Sequence, residues 1–215
     1  MVRMSIFNHS EWLKRRNERI GGSDAAAVIG ANPYKTNLQL WEEKTGRLKA
    51  EDISDKPYVK YGTEAENHLR ELFKLDCPQY KVMYEAGNMW TNDKYPFAHA
   101  SLDGWLQDES GRNGILEIKT TEILRAGQRD LWKDRIPDNY YVQLLHYLLV
   151  TEFEFAVLKA QLKYEIDGKL WLNTQHYHLE RIEVEGDIEI LKKQEIEFWK
   201  RIRQDKQPPL ILPQI

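Results

Sequence analysis

The sequence predicts an α/β fold, a central mixed β-sheet flanked by helices on both faces. Three observations carry this. Helix-like segments fill the first 75 residues, a strand-like meander follows between about 80 and 120, and the remainder reads helix, two strands, helix. Such an order closes around a sheet covered on both sides. Residues 62–75 place Ala65, Leu69, Leu72 and Phe73 on one stripe, the mark of a helix that buries a face. Residues 114–120 alternate, so that Leu116 and Ile118 point into a core while Glu117 and Lys119 share the opposite face. The 215 residues fit one domain, 1–215, with a core over about 12–150 and strands, a helix and a Pro-rich tail over 151–215.

Each element has its own signal. Residues 10–19 read as a helix opened by Ser10 as N-cap, broken by Gly21-Gly22. Ser23 or Asp24 caps a short helix, Ala25 to Ile29, closed by Gly30. Asn32-Pro33-Tyr34 is a turn, residues 37–45 a helix carrying Leu38 and Trp41 and ended by Gly46, and 49–58 a polar loop. After the helix at 62–75, strands are expected near 80–85, 88–91, 97–106 and 114–120, and a helix within 122–133. Asp138 can cap a helix over 139–151. Strands at about 153–163 and 170–183 meet at the turn Asp167-Gly168, and a last helix covers 187–204. Pro208-Pro209 cannot continue it, and the apolar tail to Pro213 is expected to dock.

Composition narrows the classes. The hydrophobic share of 41% and charged share of 30% are ordinary for a globular protein. No apolar run approaches the ~20 residues of a membrane span. The N-terminal stretch lacks a secretory apolar segment. A single cysteine, Cys77, excludes an internal disulfide, a Cys-based zinc site and an iron–sulfur cluster. A cytoplasmic location is expected. The net charge of −3 is low for a duplex-binding protein, unless acids gather at a metal and bases cluster locally, as in Lys14-Arg15-Arg16-Asn17-Glu18-Arg19. That cluster also reads as a solvated helix face.

The chemistry centres on Asp103, Glu117 and Lys119. Asp103 stands before Gly104, where a turn can carry it to the edge that Glu117 and Lys119 occupy. Two acids beside one ammonium on rigid strands suit a divalent metal, an attacking water and phosphodiester hydrolysis. Taken alone, Glu117 and Lys119 form an ion pair and Asp103-Gly104 a turn. His99 is near Asp103 but reads as packed or solvated, and His176 and His178 lack a third zinc ligand. The seven tryptophans read mostly as core, with Trp41 or Tyr58 as candidates to stack on an unpaired base, and Tyr58, Val59 or Tyr61 as candidate strand wedges.

Together, Gly21-Gly22-Ser23-Asp24, Tyr61-Gly62-Thr63-Glu64-Ala65-Glu66, Ser101-Leu102-Asp103-Gly104, Leu116-Glu117-Ile118-Lys119-Thr120 and Gln143 to Tyr147 resemble the YqaJ-like viral recombinases, relatives of phage lambda exonuclease in the PD-(D/E)xK nuclease superfamily. Leu102 stands where the superfamily name has proline. The resemblance implies a restriction-endonuclease-like fold and a metal-dependent exonuclease. Such an enzyme digests the 5′-ended strand of linear double-stranded DNA and leaves 3′ tails for recombination. It further implies a homotrimer, a single-strand annealing protein as partner and a phage or prophage origin in a bacterial host. Asp103, Glu117, the Ile118 carbonyl and Glu66 would hold Mg2+, with Mn2+ able to substitute. Lys119 and Gln143 would join Asp103, Glu117 and Glu66 in catalysis, and Arg16, Ser23 and Ser101 would bind a 5′-phosphate. Read from the residues alone, Glu66 is an exposed helix acid, Gln143 a buried polar group among aromatics and Ser23 an N-cap. An endonuclease on the same fold, and a DNA-binding subunit without activity, are the alternative readings.

Overall fold

The computed structural model describes residues 1–6 and 8–213. In chain order the elements are β1 (Val2–Ser5), α1 (His9–Asn17), α2 (Gly22–Val28), α3 (Asn37–Lys44), α4 (Pro57–Asp76), β2 (Lys81–Met83), β3 (Asn88–Thr91), β4 (Gly104–Gln107) and β5 (Asn113–Glu122). They continue as α5 (Ala126–Asp130), α6 (Asp138–Thr151), β6 (Phe155–Ile166), β7 (Lys169–Glu180) and α7 (Arg181–Arg203). The main sheet runs β2-β4-β5-β6-β7. Its β5–β6 pair is parallel and the others antiparallel, so the sheet is mixed, as the sequence predicts.

Helices cover both faces. On one, Leu69 and Phe73 of α4 pack on Leu106, Leu116, Ile118, Phe155 and Val157. Phe73 and Leu116 are fully buried, and each such side chain contributes roughly 1.5–3 kcal/mol. On the other face α6, buried from Val142 to Thr151, lies against the sheet with α2 and α7 behind it. β6 and β7 join through a tight turn in which Asp167 (φ 51°) and Gly168 (φ 71°) are both left-handed, the geometry that matches strand twist in a two-residue hairpin.

Several boundaries differ from expectation, each for a local reason. Asn8, not Ser10, caps α1, because its Oδ1 accepts from the N–H groups of both Ser10 and Glu11. Gly21, not Ser23 or Asp24, is the N-cap of α2; Asp24 instead reaches back to accept from the Gly21 N–H. Asp138 is the first residue of α6 rather than its cap. α4 starts at Pro57, inside the expected loop, since proline fits the first helical turn. The meander is also broken. β3 leaves the main sheet to pair with β1, and residues 97–100 contribute only isolated bridges, Ile20 to Ala98 and Trp90 to Ala100. Among the described residues no helix is long and apolar enough to cross a membrane. The tail docks as expected: the Asn37 side chain donates to the Pro209 carbonyl and accepts from the Ile211 N–H.

Candidate active site

Strand register builds the centre. Gly104 pairs with Leu116 in the antiparallel β4–β5 ladder. Asp103, one residue before β4, therefore stands across from Glu117. Its Oδ2 accepts from the Ile118 N–H at 2.8 Å, extending the ladder by a side chain where β4 has ended. A residue's N–H and C=O leave a strand on the same side, so the Ile118 carbonyl also faces this gap. Beyond it, β5 is held by its parallel pairing to β6.

Glu117 points to the α6 face and is 2% exposed. Its Oε1 accepts from Lys119 Nζ at 2.6 Å and from Gln143 Nε2 at 2.7 Å. Its Oε2 is buried and has no partner among the described residues. Gln143 also donates to the Tyr147 hydroxyl at 2.8 Å, one helical turn along α6. Lys119 lies 5.2 Å from the centre of the Tyr140 ring.

The electrostatics follow from this crowding. Burial, then the charges of Glu117 and Glu66, push the Asp103 carboxyl well above the ordinary range. Burial likewise raises Glu117, despite the Lys119 cation beside it. Two acceptor groups within reach of each other favour a shared proton or a cation between them. Burial works against the charge on Lys119, yet Glu117 and Asp103 hold its pKa above the lysine value, so it remains an ammonium donor. Burial and the same two acids keep the Tyr147 phenol protonated.

Glu66 reaches this centre from the opposite face of the sheet. Its carboxylate accepts from Arg70 at 2.9 Å, and Arg70 also donates to the main-chain carbonyl of Asp103. Among the described residues no group of three or more His, Cys, Asp or Glu side chains is placed to hold a metal ion by itself. The donor set still fits a hard divalent cation. It offers carboxylate oxygens from Asp103 and Glu117, among them the unpartnered Glu117 Oε2, and the carbonyl edge at Ile118, with the Glu66 charge acting on Asp103 from the other side.

Nearby, Arg16 Nη2 donates to Ser23 Oγ at 2.8 Å, joining α1 to the first turn of α2. The Ser101 hydroxyl is buried without a partner among the described residues. So Arg16 and Ser23 are brought together, while Ser101 does not bond to either. The placement of Arg16 depends on a contact that sequence reasoning missed. Lys44 Nζ, on α3, bonds Asp24 at 2.8 Å and the Arg19 carbonyl at 2.6 Å, tying α1, α2 and α3. Nothing local in the sequence marks that pair. Arg70 was also missed, although its spacing of four from Glu66 on a predicted helix is a legible ion-pair signal.

Other candidates fall away. His99 is 2% exposed, packed against Gly21, and burial followed by His146 lowers its pKa to about 3. His178 bonds Glu180 and stacks on Phe155; His176 packs edge-on to Phe73. Trp41 is buried under the Arg47 guanidinium and has no face for a base, which corrects that expectation. Trp41, Trp90, Trp105 and Trp132 are buried, Trp12 and Trp199 partly so, and Trp171 is half exposed on β7. Tyr58 and Tyr61 are exposed; the Tyr61 hydroxyl donates to Gln161.

Comparison with known proteins bears on family and fold. A family model described as a YqaJ-like viral recombinase domain matches residues 11–154. The uncharacterized protein YqaJ of Bacillus subtilis (strain 168) is 31% identical over 204 residues, 93% of this chain but 58% of that protein, so the chain spans little more than half of its relative. The alkaline exonuclease LHK-Exo from Laribacter hongkongensis superposes with a TM-score of 0.62 at 17% identity, covering 91% of this chain and 95% of that one. A phage related exonuclease from Haemophilus somnus 129PT gives 0.54 at 15% identity, covering 87% and 96%. At such identities the likeness establishes a shared fold.

Proposed function

The chain belongs to the YqaJ-like viral recombinase family and has the restriction-endonuclease-like fold, and on that premise we propose that it is a metal-dependent exonuclease of linear double-stranded DNA. The observation that carries the reading is the electrostatically strained pair of the half-buried Asp103 and the buried Glu117, with Lys119 bonded to Glu117. An acid pair of this kind is costly in a core unless a cation relieves it. Asp103, Glu117 and the Ile118 carbonyl would hold Mg2+ or Mn2+, with Glu66 through water. When bound, the ion supplies Lewis acidity toward phosphate and water.

The chain's own groups supply the rest. Lys119, kept as an ammonium, is no general base at neutral pH. It stabilises charge developing on the phosphate or orients the attacking water, the kind of contribution expected of a fixed cation in a partly dry site. Gln143 fixes the Glu117 carboxylate, and Arg70 fixes Glu66 and the Asp103 main chain. Arg16 and Ser23, with the unpartnered Ser101 hydroxyl, would take the terminal 5′-phosphate, a planar guanidinium giving two parallel donors. Digestion of the 5′-ended strand, 3′ tails for recombination, a homotrimeric assembly and a single-strand annealing partner are part of the same proposal and rest on the family.

Digestion of end-labelled linear duplex with Mg2+, comparing 5′-phosphate and 5′-hydroxyl ends, tests reaction, direction and end recognition together. Expected are release from the 5′ end, faster on phosphorylated ends, and a supercoiled circle left intact. Cleavage of the circle would move the reading to an endonuclease. Arg16→Ala should slow phosphorylated ends selectively; equal loss on both ends removes the phosphate pocket.

A further inference from the structure

A cavity of about 570 Å³, a volume typical of small-ligand sites, lies between α4, β1 and the end of β2. Strand register sets its place beside the acidic centre. Met83 pairs with Trp105, and its carbonyl would stand 3.3 Å from a Cβ on Gly104, the residue after Asp103. Tyr84, the next residue, is therefore at the end of the sheet that carries Asp103. From α4, Arg70, Glu71 and Lys74 line the cavity, brought to one helix face by their spacing of three and four.

The deepest polar groups are planar cations. The Arg70 side chain is 4% exposed and lies 3.4 Å from the centre of the Tyr84 ring. Its bonds to Glu66 and to the Asp103 carbonyl both run through Nη1, which leaves the rest of the guanidinium to the cavity it lines. Arg3, from β1, lies 4.6 Å from the Trp105 ring centre and 5.5 Å from that of Trp90. Stacking fixes both guanidinium planes, and a fixed planar fork offers paired donors to an oxyanion. Lys74 adds a third, flexible cation. The acids on the lining, Glu71 and Glu85, are more open to solvent, with side chains 57% and 34% exposed. Glu71 pairs with Lys74 at 2.6 Å and Glu85 with Arg3 at 3.2 Å, and Glu85 also accepts from the Ser5 hydroxyl. Ion pairs this exposed hold their partners weakly. Three cations against two acids leave the lining net positive.

We propose that this cavity is an oxyanion subsite for a phosphate dianion, free or carried by a 5′-mononucleotide, held by Arg70, Arg3 and Lys74. It is separate from the Arg16–Ser23 pair, which joins α1 to α2. Binding here needs neither DNA nor a cation. Its meaning rests on the nuclease reading: a mononucleotide is what an exonuclease releases, and Arg70 places the departing phosphate one side chain from Glu66 and Asp103.

The test is calorimetric titration in EDTA at low ionic strength, using inorganic phosphate and thymidine 5′-monophosphate, with thymidine as the uncharged control. Arg16→Ala serves as the parent, so that the other phosphate pocket does not contribute. The parent should bind one phosphate per chain and should not bind thymidine. Adding Arg3→Gln, or separately Lys74→Gln, should weaken phosphate roughly tenfold, the loss of one charge-assisted contact. Adding Lys193→Gln, on an exposed position of α7, should change affinity less than twofold. Tighter binding of thymidine 5′-monophosphate than of phosphate identifies the mononucleotide as the ligand, and equal or weaker binding identifies the free anion. No saturable binding to the parent, or binding that survives both Arg3→Gln and Lys74→Gln, overturns the subsite. The nuclease reading is decided separately, by digestion of linear duplex with Mg2+, so the two can fail independently.

Discussion

Asp103→Asn should stabilise the metal-free protein while abolishing its function. The wild-type centre sets three acids, Asp103, Glu117 and Glu66, against two cations, Lys119 and Arg70. Two carboxylates about 4 Å apart at an effective dielectric of ~20 repel by roughly 4 kcal/mol, and the shared Lys119 offsets part of it, leaving a relief on the order of 2 kcal/mol. Asparagine keeps an oxygen to accept from the Ile118 N–H and adds an N–H that can donate toward Glu117, so the ladder extension survives. For a chain of this size the gain is a rise of about 4–8 °C in Tm. Its pH dependence has a definite sign. Both carboxyls hold a proton more tightly folded than unfolded, so above the ordinary carboxylate range the folded wild type carries the extra proton. Its stability is greatest at the acid end of that window and falls as pH rises through the folded pKa values. Melting in EDTA should therefore show the largest gain for Asp103→Asn near pH 8 and little near pH 5. Adding Mg2+ should raise the wild-type Tm and leave the variant unmoved, narrowing or reversing their order. An Asp103→Asn protein that melts lower than wild type at pH 8 in EDTA, or that gains as much from Mg2+, would refute the picture of a strained pair awaiting a cation.

Three further outcomes follow. Lys119→Gln should reduce cleavage by roughly 10²–10³-fold with DNA affinity in EDTA changed little; single-turnover digestion beside a binding titration separates the two, and an active variant ends the assignment of Lys119. Gly22→Ala should destabilise by about 1–3 kcal/mol, because a Cβ there overlaps the Tyr147 ring and crowds Gln143; denaturant melts measure this, and a neutral result would mean that α2 shifts freely on α6. EDTA should stop cleavage, and Ca2+ should support binding without turnover, since it takes the same oxygen ligands in looser geometry; rapid cleavage in Ca2+ would count against a site that demands a small, rigidly held ion.

The acidic centre was legible because its parts are local. Period-two alternation alone places Glu117 and Lys119 on one face of β5, and the short path from Asp103 to Glu117 leaves a hairpin as the simplest route. Caps were less legible, because several residues compete for the same free N–H groups. Ser10 has the right chemistry, but Asn8 satisfies two donors at once and wins. Contacts across long sequence separations were hidden altogether. Val2–Ser5 finds β3 only after the chain has folded back on itself, and Asp24 finds Lys44 from another helix. Trp41 illustrates the same limit, since an aromatic at a helical position reads alike as core or as stacking platform until its neighbours are known.

On the proposed reading, end recognition and chemistry are spaced by one run of packed groups. Ser23, bonded to Arg16, sits on the first turn of α2. The next contact along is Gly22, whose missing side chain lets α2 lie directly on Tyr147 and Gln143 of α6. Gln143 in turn donates to Glu117. From behind, α6 is anchored where the buried His146 bridges Glu195 of α7, at 2.6 Å, and the His99 carbonyl, at 2.9 Å. Every link is buried except Arg16 and Ser23, the two that would meet the phosphate. A phosphate held there therefore stands at a fixed separation from the acid pair, and the bond presented for cleavage is set by that separation and not by the sequence of the DNA. Loosening any middle link should blur the position of cleavage before it lowers affinity for the end, which is the behaviour expected of a spacer rather than of a binding residue.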